Sequence, residues 1–499
     1  MKLLWIVAAL LIPKLVFADS YVCNADSSIN VSNIPLDHQR CLKIETIQIQ
    51  PDNPVDQSVN FFQYKDPNLG IRLRDLLIKN PVAFKVAYFG DSHVQNGISV
   101  SSIRHVFSKY ADASGKGMLF PFSIAKTYSH NDFKSTYFGD WKSSNSMHQY
   151  PKLPLGISGF TAKTSDEFFG FALQFSKKSV NLQQPRNIYL YYTADDSDYT
   201  VNISCVGNSA QGILNRGNNT KVIKNFVCEN DEITFKFGRT EGSHGELSIH
   251  GVQIDNVTSG ISVHNLGVGG ATYGAINSQK LFSNHVAILN PDVVVLDYGT
   301  NDIIYNNVLS PHLEETIVKT INTVRKFSNN PLIIMPSVQA MRFKGRSITV
   351  ASEFNQLVKR LALENGCIYY DWFDISGGRP ANQKWQSLGL ASSDGVHLTT
   401  KGYQLKGELF GTAFVNTAKI AQFFPGNSVE IDLYPNHLHS EPKNITTHPN
   451  DKKSLGYSFS QESKVPSLKA KGPTSKGPTS KGPTSKGPTS KVSRSSSSK

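Results

Sequence analysis

The chain has 499 residues, 39% of them apolar and 18% charged, which suits two or three folded domains and excludes a collagen-like or wholly disordered polymer. Its formal charge is +12, but ten Lys and Arg494 against Asp451 and Glu462 put +9 on residues 451–499, and Lys2 and Lys14 add two more. Residues 19–450 therefore stand near neutral, which argues against an enzyme whose whole surface grips nucleic acid.

Lys2 precedes an apolar run from Leu3 to Ile12. Pro13 and Lys14 interrupt it, and Val16, Phe17 and Ala18 lead to Asp19. That layout predicts a signal peptide over residues 1–18 and an exported chain, periplasmic or secreted. The run is too short to cross ~30 Å of hydrocarbon, and no later stretch reaches ~18 uninterrupted apolar residues, so no transmembrane segment is expected in the mature chain. All five cysteines lie beyond the signal. An oxidising compartment permits disulfides, and Cys23–Cys41 and Cys205–Cys228 are the favoured local pairings. Cys367 reads as a buried thiol. No CxxC pair supports a zinc ribbon or a thioredoxin-like site.

The run 82–90 predicts a strand ending at a glycine, with a helix over 98–110. Further buried strands are expected at 291–298, 331–336 and 367–371, and helices at 312–327, 352–365 and 401–423. Continuous apolar strands alternating with helices predict an α/β sandwich around a mostly parallel sheet. Residues 160–258 differ. Alternating runs such as 187–192, 199–203 and 232–237, separated by Gly/Asn turns, predict a small β-sandwich inserted into the α/β domain. The expected division is thus an α/β domain over 19–135 and 259–425 and an insert over 136–258. The last part, 430–499, carries Lys-Gly-Pro-Thr-Ser four times from Lys471 to Ser490 and reads as a disordered basic tail. It fits either weak contact with an anionic surface or a solubilising linker.

Four short stretches can carry chemistry. Gly90-Asp91-Ser92-His93 ends the first strand, where a hydroxyl and its own N–H would stand at a helix start. Asn265 to Thr272 supplies a Gly-rich turn whose amides could approach a ligand. Gly299-Thr300-Asn301-Asp302 offers a side-chain amide at the end of another strand. Asp394-Gly395-Val396-His397 lets a carboxylate accept from His Nδ1 and leaves Nε2 free as a base. Taken singly, each also reads as an ordinary turn, loop or helix cap. Asp195, Asp196 and Asp198 fit a solvated turn better than a calcium cage, and His437, His439 and His448 match no zinc spacing.

In this order the four stretches resemble the sequence blocks of the SGNH branch of GDSL hydrolases, over about 82–110 and 259–423. The resemblance implies a flavodoxin-like three-layer fold. It also implies Ser92 as nucleophile, His397 as general base, Asp394 as the group orienting His397, and an oxyanion hole of the Ser92 N–H, the Gly270 N–H and the Asn301 side chain. Alignment on Asn265 favours Gly270 over Gly269. No metal or cofactor is implied. A narrower likeness, over Asp371 to Gly378, Trp385, Gly389 to Ala391 and Asp394 to Tyr403, is to periplasmic peptidoglycan O-acetylesterases, which carry an insert similar to carbohydrate-binding modules. Ile375 and Ser376 depart from that text where a Met is usual, as does the cationic tail.

The expected function is a serine esterase that removes O-acetyl groups from a cell-wall glycan through an acetyl-serine intermediate. An O-acetyltransferase, or a deacetylase of another polysaccharide, would use the same site. A glycan-binding protein with a relic site is a third reading. The expected partners are the acetylated glycan and, through the tail, an anionic surface, with no specific nucleic acid.

Overall fold

The computed structural model describes residues 21–430 except 26–27, 33–39, 177–181, 241, 243 and 306–307; the expected signal peptide and basic tail lie outside them. The described residues form one unit. Its centre is a five-stranded sheet in the order Ile261–Gly267, Phe84–Gly90, Val293–Asp297, Leu332–Pro336, Ile368–Tyr370, with every pair parallel. Alternation along each strand feeds two cores. Val86, Tyr88, Val293, Val295 and Ile334 pack against helices Pro67–Ile78, Ile98–Phe107 and Thr400–Phe423. Ala87, Phe89, Val294, Leu296 and Met335 pack against Phe282–Leu289, Leu313–Phe327 and Ala351–Glu364. The result is the three-layer, flavodoxin-like α/β sandwich, whose chain order reverses beside the first strand. Ligands of such sheets bind where strands diverge at their carboxyl ends, here between Gly90 and Asp297.

Helix Thr400–Phe423 lies close against Ile98–Phe107 because Gly407 and Gly411 leave room. A Cβ on Gly407 would stand 2.3 Å from the Ser99 carbonyl oxygen, and one on Gly411 2.8 Å from Val106. Pro67–Ile78 was not expected from periodicity. It starts on local chemistry instead, with Pro67 in its first turn and the Asp66 carboxylate accepting from the Asn68 N–H.

Two antiparallel sheets make the all-β part. One has six strands, including Arg186–Ala194, Gly217–Phe226 and Leu247–Asn256; the other has five, including Phe168–Phe175, Tyr199–Cys205 and Glu232–Arg239. Stacked rings hold the five-stranded sheet across its strands, with Phe171 and Phe235 centroids 4.7 Å apart. Two features differ from expectation. Strands Gly117–Leu119 and Phe133–Phe138 already belong to these sheets, ahead of residue 136, because Leu119 pairs with Val252 and Phe133 with Phe175. The core is also continuous: Phe120, Phe160 and Ile249 of the sandwich share one apolar cluster with Leu266, Phe282 and Leu296 of the α/β part. A disulfide joins Cys205 to Cys228. Cys41 is disulfide-bonded and stands opposite Cys23 in the strand register. Cys367 is a buried free thiol, pushed up to about 12 by burial. No helix among the described residues is long and apolar enough to cross a membrane.

Candidate active site

Ser92 opens the short helix Ser92–Gln95 directly after the strand Phe84–Gly90. Asp91 caps it, its carboxylate accepting from the His93 N–H at 2.9 Å. The turn admits no side chain at Gly90, where a Cβ would lie 2.3 Å from Val94 Cγ2 and 2.7 Å from the Asp297 carbonyl oxygen. Gly267 is equally closed, a Cβ there standing 2.3 Å from the Gln95 nitrogen. Asn265, Leu266 and Gly267 are the end of a strand rather than part of a turn, because they pair with Tyr88, Phe89 and Gly90. The Asn265 side chain binds this strand end to the Ser92 helix, donating to the Val94 carbonyl at 2.9 Å and accepting from the Gly267 N–H at 3.0 Å.

The Ser92 hydroxyl lies 2.8 Å from His397 Nε2, and His397 Nδ1 lies 2.7 Å from Asp394 Oδ2. With Nδ1 donating to the carboxylate, Nε2 accepts from the hydroxyl. Asp394 Oδ1 also accepts the N–H groups of Val396 and His397, at 2.9 Å each. Burial alone would raise the Asp394 carboxyl, but the hydrogen bonds from the His397 ring and from these two amides outweigh it and hold the group below the usual carboxylate range. This loop is open: the His397 and Asp394 side chains are 40% and 50% exposed.

The amide donors belong to the same cleft. Gly270 is in the left-handed region at φ +82°. Among the described residues neither its N–H nor that of Ser92 is hydrogen-bonded, whereas the Gly269 N–H is taken by Gln95 Oε1 at 2.5 Å. Asn301 gives one amide hydrogen to the Ala271 carbonyl at 2.9 Å and keeps the other. Ser92, Gly270, Asn301, Asp394 and His397 all line one cleft of about 850 Å³.

The floor under Ser92 was not foreseen. Lys406 Nζ and Asp297 Oδ2 form a buried ion pair at 2.9 Å, and the Tyr88 hydroxyl donates to the same oxygen at 3.0 Å. Burial, with Asp297 nearby, lifts the Asp91 carboxyl to about 7 despite the His93 N–H and the Lys406 charge. His93 is held neutral by burial, reinforced by the positive charge of Lys406 and by His397; its Nδ1 lies 3.1 Å from the Tyr403 hydroxyl. Its ring centroid is 5.2 Å from that of His397. The signal for Lys406 was slight: a lysine in a helix reads as solvent-facing unless its partner across the sheet is known. Asp195 pairs with Lys163 at 3.3 Å and Asp198 accepts from the Arg216 N–H at 2.7 Å, as in an ordinary turn. Among the described residues no cluster of three or more His, Cys, Asp or Glu is arranged to hold a metal ion.

Comparison with known proteins gives a family match over part of the chain and a likeness of fold. Residues 231–405 match the GDSL-like lipase/acylhydrolase family. Ser92 precedes the matched stretch, and the sheet returns it to that stretch through the pairing of its strand with Ile261–Gly267 and Val293–Asp297. A solved structure titled as a peptidoglycan O-acetylesterase in action is 20% identical, covers 74% of this chain and 98% of its own, and superposes with a TM-score of 0.58; the likeness is one of fold. An acetylxylan esterase from Geobacillus stearothermophilus is 16% identical over 33% of this chain and 74% of its own, with a TM-score of 0.24. TmCBM61, solved with β-1,4-galactotriose, is 15% identical over 25% and 85%, with a TM-score of 0.17. The last two superpose too loosely to bear on this chain. No curated protein matches it in sequence. The GDSL-like lipase/acylhydrolase match over residues 231–405 and the likeness of fold together support an SGNH-type hydrolase.

Proposed function

We propose that the chain is an exported serine esterase that removes O-acetyl groups from a cell-wall glycan, in the manner of a peptidoglycan O-acetylesterase. The observation that carries this reading is the relay from Ser92 through His397 to Asp394, at 2.8 and 2.7 Å, facing unpaired amide hydrogens in one cleft. His397 Nε2 takes the proton as Ser92 Oγ attacks the acetyl carbonyl. The oxyanion is met by the Ser92 and Gly270 N–H groups and by the Asn301 amide, donors that need no reorganisation as charge develops. The bond to the sugar oxygen breaks, and that oxygen leaves with the proton from His397. Water then attacks the acetyl-serine while His397 accepts its proton, and acetate departs as Ser92 regains one. In the same reading residues 1–18 direct export, the sandwich holds glycan like a carbohydrate-binding module, and the basic tail touches an anionic surface.

The test is acetate release from O-acetylated peptidoglycan, set beside acetylated xylan and a long-chain ester. Ser92→Ala should lower turnover by ~10⁴ or more with an unchanged circular dichroism spectrum. Full residual activity would overturn the assignment. Acetyl groups recovered on an acceptor glycan instead of free acetate would make the enzyme a transferase.

A further inference from the structure

A second element leans on the His397 loop. Arg342–Phe343 and Arg346–Ser347 form a two-stranded hairpin, turned through Lys344 at φ +50° and Gly345 at φ +79°. One backbone and one side-chain hydrogen bond pin it. The Arg342 N–H donates to the Gly395 carbonyl at 2.8 Å, and just before the hairpin the Gln339 amide donates to the Val396 carbonyl at 2.8 Å. A Cβ on Gly395 would stand 2.5 Å from the Arg342 carbonyl oxygen. The hairpin is thus fixed relative to His397, and its turn residues Phe343, Lys344 and Gly345 line the cleft beside Ser92.

The chemistry of that wall is specific. The Phe343 ring meets Tyr305 edge-on at 5.4 Å, and Lys344 Nζ lies 5.2 Å from the Phe343 centroid. Tyr305 is 74% exposed, an aromatic face open to a ligand. Arg342, Lys344 and Arg346 bring three cations together on a body of near-zero net charge. Among the described residues none of the three is ion-paired, and Lys344 is the one Lys or Arg lining the cleft. Lysine ammonium beside aromatic faces suits a carboxylated sugar: the rings take its apolar face and the ammonium its anion.

We infer that this hairpin reads a carboxylate on the substrate, with Lys344 taking the anion and Tyr305 and Phe343 flanking the sugar, so that acetylated glycans bearing carboxylates are preferred to neutral ones. The inference rests on the esterase reading above. In peptidoglycan the carboxylate comes from the lactyl arm or from a stem peptide.

The experiment measures kcat/KM for acetate release from a neutral acetylated xylo-oligosaccharide and from O-acetylated glycan strands with and without stem peptides. Lys344→Ala should lower the carboxylated-over-neutral ratio about three- to tenfold, through KM rather than kcat, as befits one partly screened ion contact. Lys344→Glu should lower it further, Lys344→Arg should keep it, and Lys319→Ala on the outer face of Leu313–Phe327 should leave it in place. Raising the ionic strength from about 0.05 to 0.5 M should imitate the loss. A loss confined to peptide-bearing strands assigns the contact to the peptide, and one confined to peptide-free strands, where the lactyl carboxylate is free, assigns it to the lactyl arm; a loss on both shows that the hairpin reads either carboxylate. An unchanged ratio in Lys344→Ala and Lys344→Glu overturns the proposal. If the wild-type protein releases acetate from none of these esters, the esterase reading fails by itself. Calorimetric binding of deacetylated strands then decides: equal affinity in wild type and Lys344→Glu overturns the proposal, and a weaker variant sustains it.

Discussion

Ser92 and His397 meet at 2.8 Å, yet they arrive from opposite surroundings. Ser92 stands on a buried floor of Asp91, His93, Asp297 and Lys406, locked between strands that tolerate only glycine at positions 90 and 267. His397 hangs from a four-residue loop that supplies its own carboxylate and leaves both side chains about half exposed. Ser92 is placed by tertiary packing, and His397 by local hydrogen bonds. Damage to the floor should therefore register as lost stability, and damage to the loop as lost chemistry with the fold intact.

The sharpest break of that contrast is His397→Ala. It should lower turnover on a chromogenic acetate ester by ~10⁴ or more while the thermal midpoint stays put; a fallen midpoint would mean that the loop supports the fold after all. Asn301→Ala should cost about 10²–10³ in turnover with little change in KM, read from the same assay. Lys406→Met attacks the floor. It strands Asp297 and should destabilise by about 3–5 kcal/mol in a denaturant titration, and adding Asp297→Asn should recover part of that. The smallest effect concerns pH. Burial lifts Asp302 from 3.8 to about 7 in the folded chain, so the folded state holds its proton longer than the unfolded state. Stability from this group is complete below about pH 4 and is lost as pH rises toward 7. Asp302→Asn should remove that loss, so thermal midpoints of variant and wild type should diverge in the variant's favour between pH 4 and 7. A constant difference would show that Asp302 does not titrate there.

Much of the α/β frame was legible because its signals are local. The expected strand 291–298 is found at Val293–Asp297, and the expected helix 312–327 at Leu313–Phe327, since continuous apolar runs and helical spacing report burial directly. The five residues singled out for chemistry surround one cleft, because Gly-Asp-Ser and Asp-x-x-His each describe a single turn. What escaped depends on distant partners. Gly117–Leu119 has three residues, too few to show a period, and becomes a strand only against Val252 to Ile254. Ile261–Gly267 ends in text that looks like a loop, and its pairing with Phe84–Gly90 gives it away. Lys406 is buried because Asp297 waits across the sheet, and no spacing rule links residues 109 positions apart.

The pairing of Leu119 with Val252 also bears on the order of assembly. The strand Phe84–Gly90 must find Ile261–Gly267, a neighbour roughly 170 residues further along. Once the sandwich has formed, its own hairpinning draws the two ends together and leaves only tens of residues of free chain to close. Loop-closure entropy then favours the union by ~1 kcal/mol, before any central-sheet contact is made. The inserted lobe thus acts as a clasp for its host, and a refolding time course should show the aromatic sandwich gaining order ahead of the parallel strands.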